Sequence, residues 1–159
     1  MAPPSPSSQF DKPVARMHPS FTSNPARGAI GENHMFSHIM LGADDIAASK
    51  AFYDATLGAL GVNPGFTDDK GRVFWMTPTG IFAITKPIDG KAASCGNGST
   101  VGFAVKSPAE ADAWHAAGLA AGGTACEDPP GVRSGTTGSL YLAYLRDPAG
   151  NKLCALYRM

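Results

Sequence analysis

Few side chains in this sequence of 159 residues carry chemistry of their own. His38 heads the apolar run His38-Ile39-Met40-Leu41. Imidazole changes charge near neutral pH and can serve as a general base, although a lone histidine on such a run is more often a hydrogen-bonded packing residue. Cys154, between Leu153 and Ala155, reads either as a small buried hydrophobe or as a thiol whose reactivity depends on its ionisation. Arg133 sits in Gly131-Val132-Arg133-Ser134-Gly135-Thr136-Thr137-Gly138, a run expected to be a flexible loop, where a guanidinium either clamps an anionic substrate group or stays solvated. That run lacks the lysine and the helix start of a phosphate-binding P-loop, which argues against nucleotide binding. Trp75, Tyr141 and Tyr144 fall in strand-like runs, where aromatics pack between strands or offer a stacking surface to a planar or apolar ligand. His115, in a helical run, reads as a surface or helix-packing residue.

The elements that must position these residues occur twice. His38-Ile39-Met40-Leu41, Asp45, Phe52, Tyr53, Leu57 and Gly61 are echoed 62 positions on by Thr100-Val101-Gly102-Phe103, Ser107, Trp114, His115, Leu119 and Gly123. In each copy an apolar strand leads to a capped helix and a glycine stop. Asp44 or Asp45 caps the first helix, whose Ile46, Tyr53, Leu57 and Leu60 share one face, with Gly58 and Gly61 ending it. Ser107-Pro108-Ala109-Glu110 is a capping box with proline at the first helical position, and predicts a second helix running to about Ala121. Strands are expected at 36–41, 72–77, 81–86, 100–106, 140–146 and 152–158, with a third strand per half in the irregular stretches 62–70 and 124–130. A further echo aligns Ile81-Phe82-Ala83-Ile84, after Pro78-Thr79-Gly80, with Leu153-Cys154-Ala155-Leu156, after Pro148-Ala149-Gly150. Two strand-helix-strand-strand-strand units imply a site built between them.

Composition narrows the partners. A 43% hydrophobic content is enough for one small core. Thirteen basic residues balance thirteen acidic ones, leaving no field for nucleic acid or anionic lipid. No run reaches the ~18 apolar residues of a membrane span, and no signal peptide is evident. Three cysteines, Cys95, Cys126 and Cys154, form neither an even disulfide framework nor a zinc pattern, so a reducing, cytoplasmic location is expected. Residues 1–34, rich in Pro, Ser, Asn and Gly around isolated Phe10 and Phe21, read as a flexible extension of a domain spanning 35–159, itself divided into repeats at 35–97 and 98–159.

The segments Phe36-Ser37-His38-Ile39, Ala51-Phe52-Tyr53-Asp54-Ala55-Thr56-Leu57-Gly58, Gly96-Asn97-Gly98 and Arg146-Asp147-Pro148-Ala149-Gly150-Asn151-Lys152-Leu153 resemble, in order and spacing, the vicinal oxygen chelate superfamily of glyoxalases, bleomycin-resistance proteins and extradiol dioxygenases. The resemblance implies an α+β fold of two βαβββ modules whose mixed sheet curves around a cavity, assembled within one chain or across a homodimer. In metal-dependent members the ligands sit on the first and last strands of each half. The corresponding residues here are His38, Ala83, Thr100 and Cys154. Ala83 has no donor atom and Thr100 is a poor neutral ligand, whereas a divalent ion generally takes three or more protein donors. No cofactor is therefore expected; the alternative is a divalent ion such as Zn²⁺ held weakly by His38 and Cys154. Strand alternation adds Met40, Gly42, Gly102 and Ala104 to a small, mostly apolar lining shared with Ala83, Thr100 and Cys154. The expected function is binding of a small organic molecule between the repeats. The alternative is a glyoxalase-like lyase or isomerase of a small oxygenated substrate, using a metal or His38 as general base.

Overall fold

The computed structural model describes residues 35–136 and 138–159, so the expectation for residues 1–34 lies outside the described residues. The first module runs β1 (His38–Gly42), α1 (Ile46–Gly58), β2 (Phe66–Thr67), β3 (Val73–Thr77) and β4 (Gly80–Thr85). The second runs β5 (Val101–Ala104), α2 (Pro108–Ala120), β6 (Thr124–Ala125), β7 (Gly131–Gly135), β8 (Gly138–Arg146) and β9 (Lys152–Arg158). Both helices and both caps keep the 62-residue spacing, Asp45 matching Ser107 and Ile46 matching Pro108. The Asp45 carboxylate accepts from the Ala48 amide and the Ser107 hydroxyl from the Glu110 amide, each satisfying a donor the first turn leaves open. Glu110 reaches back to the Lys106 amide, one residue before the cap. Gly61, at φ +79°, supplies the left-handed turn that takes the chain off α1.

Each module forms its own sheet. The first has the order β1-β4-β3-β2; the second runs β5-β9-β8-β6, with β7 also paired to β8. First and last strands run parallel, which α1 or α2 makes possible as the crossover, and the other pairings are antiparallel. Alternation sorts the side chains. Ile39, Leu41, Val73, Trp75, Phe82 and Ile84 face α1, whose Tyr53 ring lies 4.6 Å from Phe82 and 5.4 Å from Trp75. In the second module Ala143, Leu145, Leu153 and Ala155 pack under Ala111 and Trp114 of α2. The helices join these layers into one core. They cross where Gly118 faces Thr56 and Phe52, and a Cβ at 118 would stand 2.3 Å from Leu145 Cδ1 and 3.0 Å from Thr56 Cγ2. Only glycine lets α2 approach that closely.

A buried polar knot fastens the modules to each other. Asp147, 3% exposed, accepts through Oδ1 from the Ala149 and Asn151 amides and through Oδ2 from the Tyr53 hydroxyl (2.7 Å) and the Asn151 side-chain amide. The same Asn151 amide also donates to the Gly42 carbonyl. The Asp147-Pro148-Ala149-Gly150-Asn151 turn therefore does more than join β8 to β9: it ties the second module to α1 and to the end of β1.

Two sequence expectations are corrected. Residues 131–135 form β7, paired through Gly131–Leu142 and Arg133–Leu140, not a flexible loop. Glycine and serine conceal its strand character, and pairing along β8 supplies what propensity does not. The last-strand echo is also shifted by one. Ile39 pairs with Phe82 and Val101 with Leu153, so Phe82, not Ile81, is the counterpart of Leu153, and Ala83 that of Cys154. In a strand such a slip exchanges the two faces.

Candidate functional site

Strand alternation leaves each sheet with a face turned away from the helices. On the first sheet this open face carries three cross-strand rows: His38, Ile81 and Met76; then Met40, Ala83, Phe74 and Phe66; then Gly42 and Thr85, with Arg72 preceding β3 on the same side. Phe66 and Phe74 stack with centroids 5.5 Å apart, and the Arg72 guanidinium lies over Phe74 at 5.3 Å. Ala83 is fully buried between Met40 and Phe74. On the second sheet the open face holds Gly102, Cys154, Tyr144, Leu142 and Leu156 across β5, β9 and β8. Arg133, on β7 opposite Leu140, shares that side and donates to the Pro129 carbonyl.

The sequence-expected residues therefore divide. His38, Met40, Ala83, Gly102, Arg133, Tyr144 and Cys154 lie on open faces, while Trp75 and Tyr141 face the helices. Trp75 donates to Asp54 on α1 (2.9 Å), and the Tyr141 hydroxyl donates to Asp112 on α2 (2.8 Å). Their rings serve the core and its edge. Thr100 precedes β5 by one residue. His115 is half-buried, and burial against α2's surroundings lowers its pKa, opposed by a hydrogen bond to the Tyr144 backbone.

A cavity of about 360 Å³ opens at the seam between the modules. Its walls come from β1 (Ile39), β3 (Trp75), β4 (Phe82), β5 (Val101, Phe103) and the end of α1 (Leu57), and His38 and Gly102 also line it. Most of this lining is apolar. The exposed His38 stands at its edge, its Nδ1 3.0 Å from the Ser37 hydroxyl, which fixes the ring and leaves Nε2 for a second partner. Of the expected residues the seam thus gathers His38, Trp75, Gly102 and Ala104, but not Met40, Gly42, Ala83, Thr100, Arg133, Tyr141 or Cys154. What the sequence reading missed is the contribution of α1 and of the helix-facing side chains Ile39, Val101 and Phe103. Their spacing marks them as core, and the gap between two sheet edges that exposes them to a cavity has no signature in a single strand.

The four family ligand positions do not suit a divalent ion. Ala83 has no donor, and burial, against a bond from Tyr144, raises the Cys154 pKa, so the thiol is protonated at neutral pH. Its Sγ lies 3.5 Å from the Ala155 carbonyl, and burial followed by the nearby thiol pushes Tyr144 up to about 12. Among the described residues no three His, Cys, Asp or Glu side chains converge.

The sequence of residues 35–155 matches the glyoxalase/bleomycin resistance protein/dioxygenase superfamily. The chain belongs to this superfamily. It is 60% identical to a glyoxalase/bleomycin resistance protein from Albidiferax ferrireducens T118 whose crystal structure covers 78% of this chain and 99% of its own, with a TM-score of 0.76. More distant likenesses show the fold alone. A glyoxalase-related enzyme from Fulvimarina pelagi is 20% identical over 77% of this chain and 87% of its own, TM-score 0.60. A family enzyme from Burkholderia phytofirmans PsJN is 18% identical over 77% and 98%, also at 0.60. No curated protein sequence matches the chain. Among the described residues no helix is long and apolar enough to cross a membrane.

Proposed function

We propose that this superfamily member binds a small organic molecule in the seam cavity between its two modules, without a resident metal. The observation that carries the reading is the cavity itself. Its volume of about 360 Å³ falls in the range of small-molecule sites, and its apolar walls with one oriented imidazole at the edge have the usual character of such sites. The donor-poor family positions favour binding through shape and apolar contact over coordination. The three free cysteines agree with a reducing cytoplasm. A fluorescence titration with 2-naphthol tests the reading. Wild type is expected to bind it, and Val101→Phe, which fills the cavity from β5, is expected to weaken binding about tenfold while keeping the native circular dichroism. Equal affinity in both proteins would put the ligand elsewhere.

The Ser37–His38 hydrogen bond favours one second reading, a lyase or isomerase with His38 as general base. In that reading Nδ1–H donates to the Ser37 hydroxyl oxygen, and the unprotonated Nε2 takes a proton from a small oxygenated substrate lying in the seam. Turnover abolished in His38→Ala, with 2-naphthol binding retained, distinguishes it from simple binding.

A further inference from the structure

The segment between β4 and β5 joins the two modules and takes no part in the seam. It is anchored along its length. The Ala93 amide donates to Asp44 (2.7 Å), Cys95 packs so near Gly150 that a Cβ there would lie 3.5 Å from its Sγ, and Val101 is already paired with Leu153. Between the last two anchors stands an exposed turn, Gly96-Asn97-Gly98-Ser99, whose first carbonyl accepts from the Ser99 amide (3.4 Å) and the Ser99 hydroxyl (2.9 Å). Gly98 holds the left-handed third position of the turn at φ +88°. The amide bond that closes the turn is longer than an ordinary N–H···O bond and resists rotation of the enclosed peptide only weakly. Among the described residues neither the Asn97 side chain nor the Gly98 amide has a hydrogen-bond partner, and a Cβ on Gly98 would meet nothing within 4 Å.

This combination is confined to one place. Of the five asparagines Asn97 alone precedes glycine. Asn24 and Asn63 precede proline, which has no amide hydrogen to give up, and Asn33 precedes His34. Asn151 precedes Lys152 and is buried, its side chain engaged with Asp147 and Gly42. Asp89-Gly90 is the acidic counterpart of the pair, but there both groups are held: the Gly90 amide donates to the Pro87 carbonyl (3.1 Å), and the Asp89 carboxylate accepts from the Lys91 amide (3.1 Å).

We infer that Asn97 is a site of self-modification, converted to aspartate and isoaspartate through a cyclic imide formed with Gly98. Asparagine is a chemically labile side chain, and glycine after it leaves the attacking nitrogen unshielded and the peptide free to turn toward Cγ. The Gly98 nitrogen attacks the Asn97 side-chain carbonyl carbon and gives up its proton to water; the bond from that carbon to the amide nitrogen breaks, and ammonia leaves. Water then opens the five-membered ring. Cleavage at the side-chain carbonyl leaves aspartate, whereas cleavage at the main-chain carbonyl leaves isoaspartate, with one extra carbon in the main chain. Water is the sole co-reactant. Either product adds one negative charge to a chain of zero net charge, and isoaspartate lengthens the junction between Cys95 and β5. The inference does not rest on the seam reading, since Asn97 does not line that cavity.

The test is incubation of the full chain in warm, mildly alkaline buffer, followed by isoelectric focusing and by mass spectrometry of the tryptic peptide 92–106. An acidic species is expected to accumulate with time and faster as pH rises, with the mass gain of an amide-to-acid exchange located at Asn97. The peptide should contain isoaspartate beside aspartate, because direct hydrolysis of the side-chain amide yields aspartate alone. Aged protein should accept methyl groups from an isoaspartyl carboxyl methyltransferase, and fresh protein should not. Asn97→Gln, which would have to close a larger ring, should lose the acidic species, and Gly98→Ala should slow its formation severalfold by shielding the attacking nitrogen. Asn97 left intact in the folded chain would overturn the inference, and its conversion only in the urea-unfolded chain would show that the turn holds the two groups apart. An acidic shift that persists in Asn97→Gln, or aspartate without isoaspartate, would overturn it equally.

Discussion

At the residue scale the most consequential contacts are polar groups held in apolar surroundings. Burial, then the Asp147 charge and hydrogen bond, raise the pKa of Tyr53 far above the ordinary phenol, while burial raises Cys154 and carries Tyr144 to about 12. All three groups are neutral in the fold, so the stability they represent is fully present below their unfolded pKa values and is lost as pH climbs through the raised ones. The thiol titrates first, from an ordinary value near 9.0. The melting temperature is therefore expected to hold level to about pH 9 and fall beyond it, more gently in Cys154→Ala; a flat profile to pH 11 would show that these groups are not so held. The same burial predicts slow modification of Cys154 by a disulfide reagent at pH 8, against rapid modification of the exposed Cys95. Tyr53→Phe leaves the Asp147 carboxylate short of one donor and should cost about 1–3 kcal/mol in urea denaturation. None of this knot was legible in the sequence. Tyr53 and Asp147 lie 94 positions apart, and nothing in either local pattern says that they meet.

At the scale of elements, the repeat was readable because it is written in local chemistry: helix caps, apolar faces and glycine stops recur at one spacing, and both helices begin where their caps place them. What was hidden follows from pairing. β7 has no strand-like alternation, and the register of the last strands could slip by one until the ladders with β1 and β5 fixed it. The helix crossing was hidden too, because Gly118 inside a helix looks like a propensity cost with no return. Gly118→Ala tests that crossing. Better helix propensity should return about 1 kcal/mol, but the new methyl would overlap Leu145 and press on Thr56, and overpacking of this kind costs typically 1–3 kcal/mol. A net loss is expected in chemical denaturation. Gly58→Ala, where a Cβ meets nothing within 4 Å, should be neutral or stabilising and serves as the control. A stabilised Gly118→Ala would show that the helices do not pack as closely as described.

For the whole molecule, the question of metal is decided by donors that no single element supplies. The positions that would have to cooperate come from β1, β4, the start of the second module and β9, and strand pairing sets Met40 beside Ala83 and Gly102 beside Cys154. The residues at these places were named through the family resemblance, since the sequence repeat alone set Cys154 against Phe82, and their environment needed the fold: Cys154 is 5% exposed and its thiol is held neutral by burial. A neutral thiol must lose a proton before it binds Zn²⁺, so any site made from His38 and Cys154 carries a deprotonation cost and has only two ligands. Purified protein is thus expected to carry well under one equivalent of metal by elemental analysis, and zinc titration should show only weak binding that strengthens as pH rises toward the thiol pKa. The variants His38→Ala and Cys154→Ala separate the alternatives. Stoichiometric zinc in the wild type that both substitutions abolish would restore a metal-dependent reading of this fold. Trace zinc unaffected by either, together with 2-naphthol binding that responds to Val101→Phe, is the outcome expected of a superfamily member that recognises its ligand by shape and apolar contact.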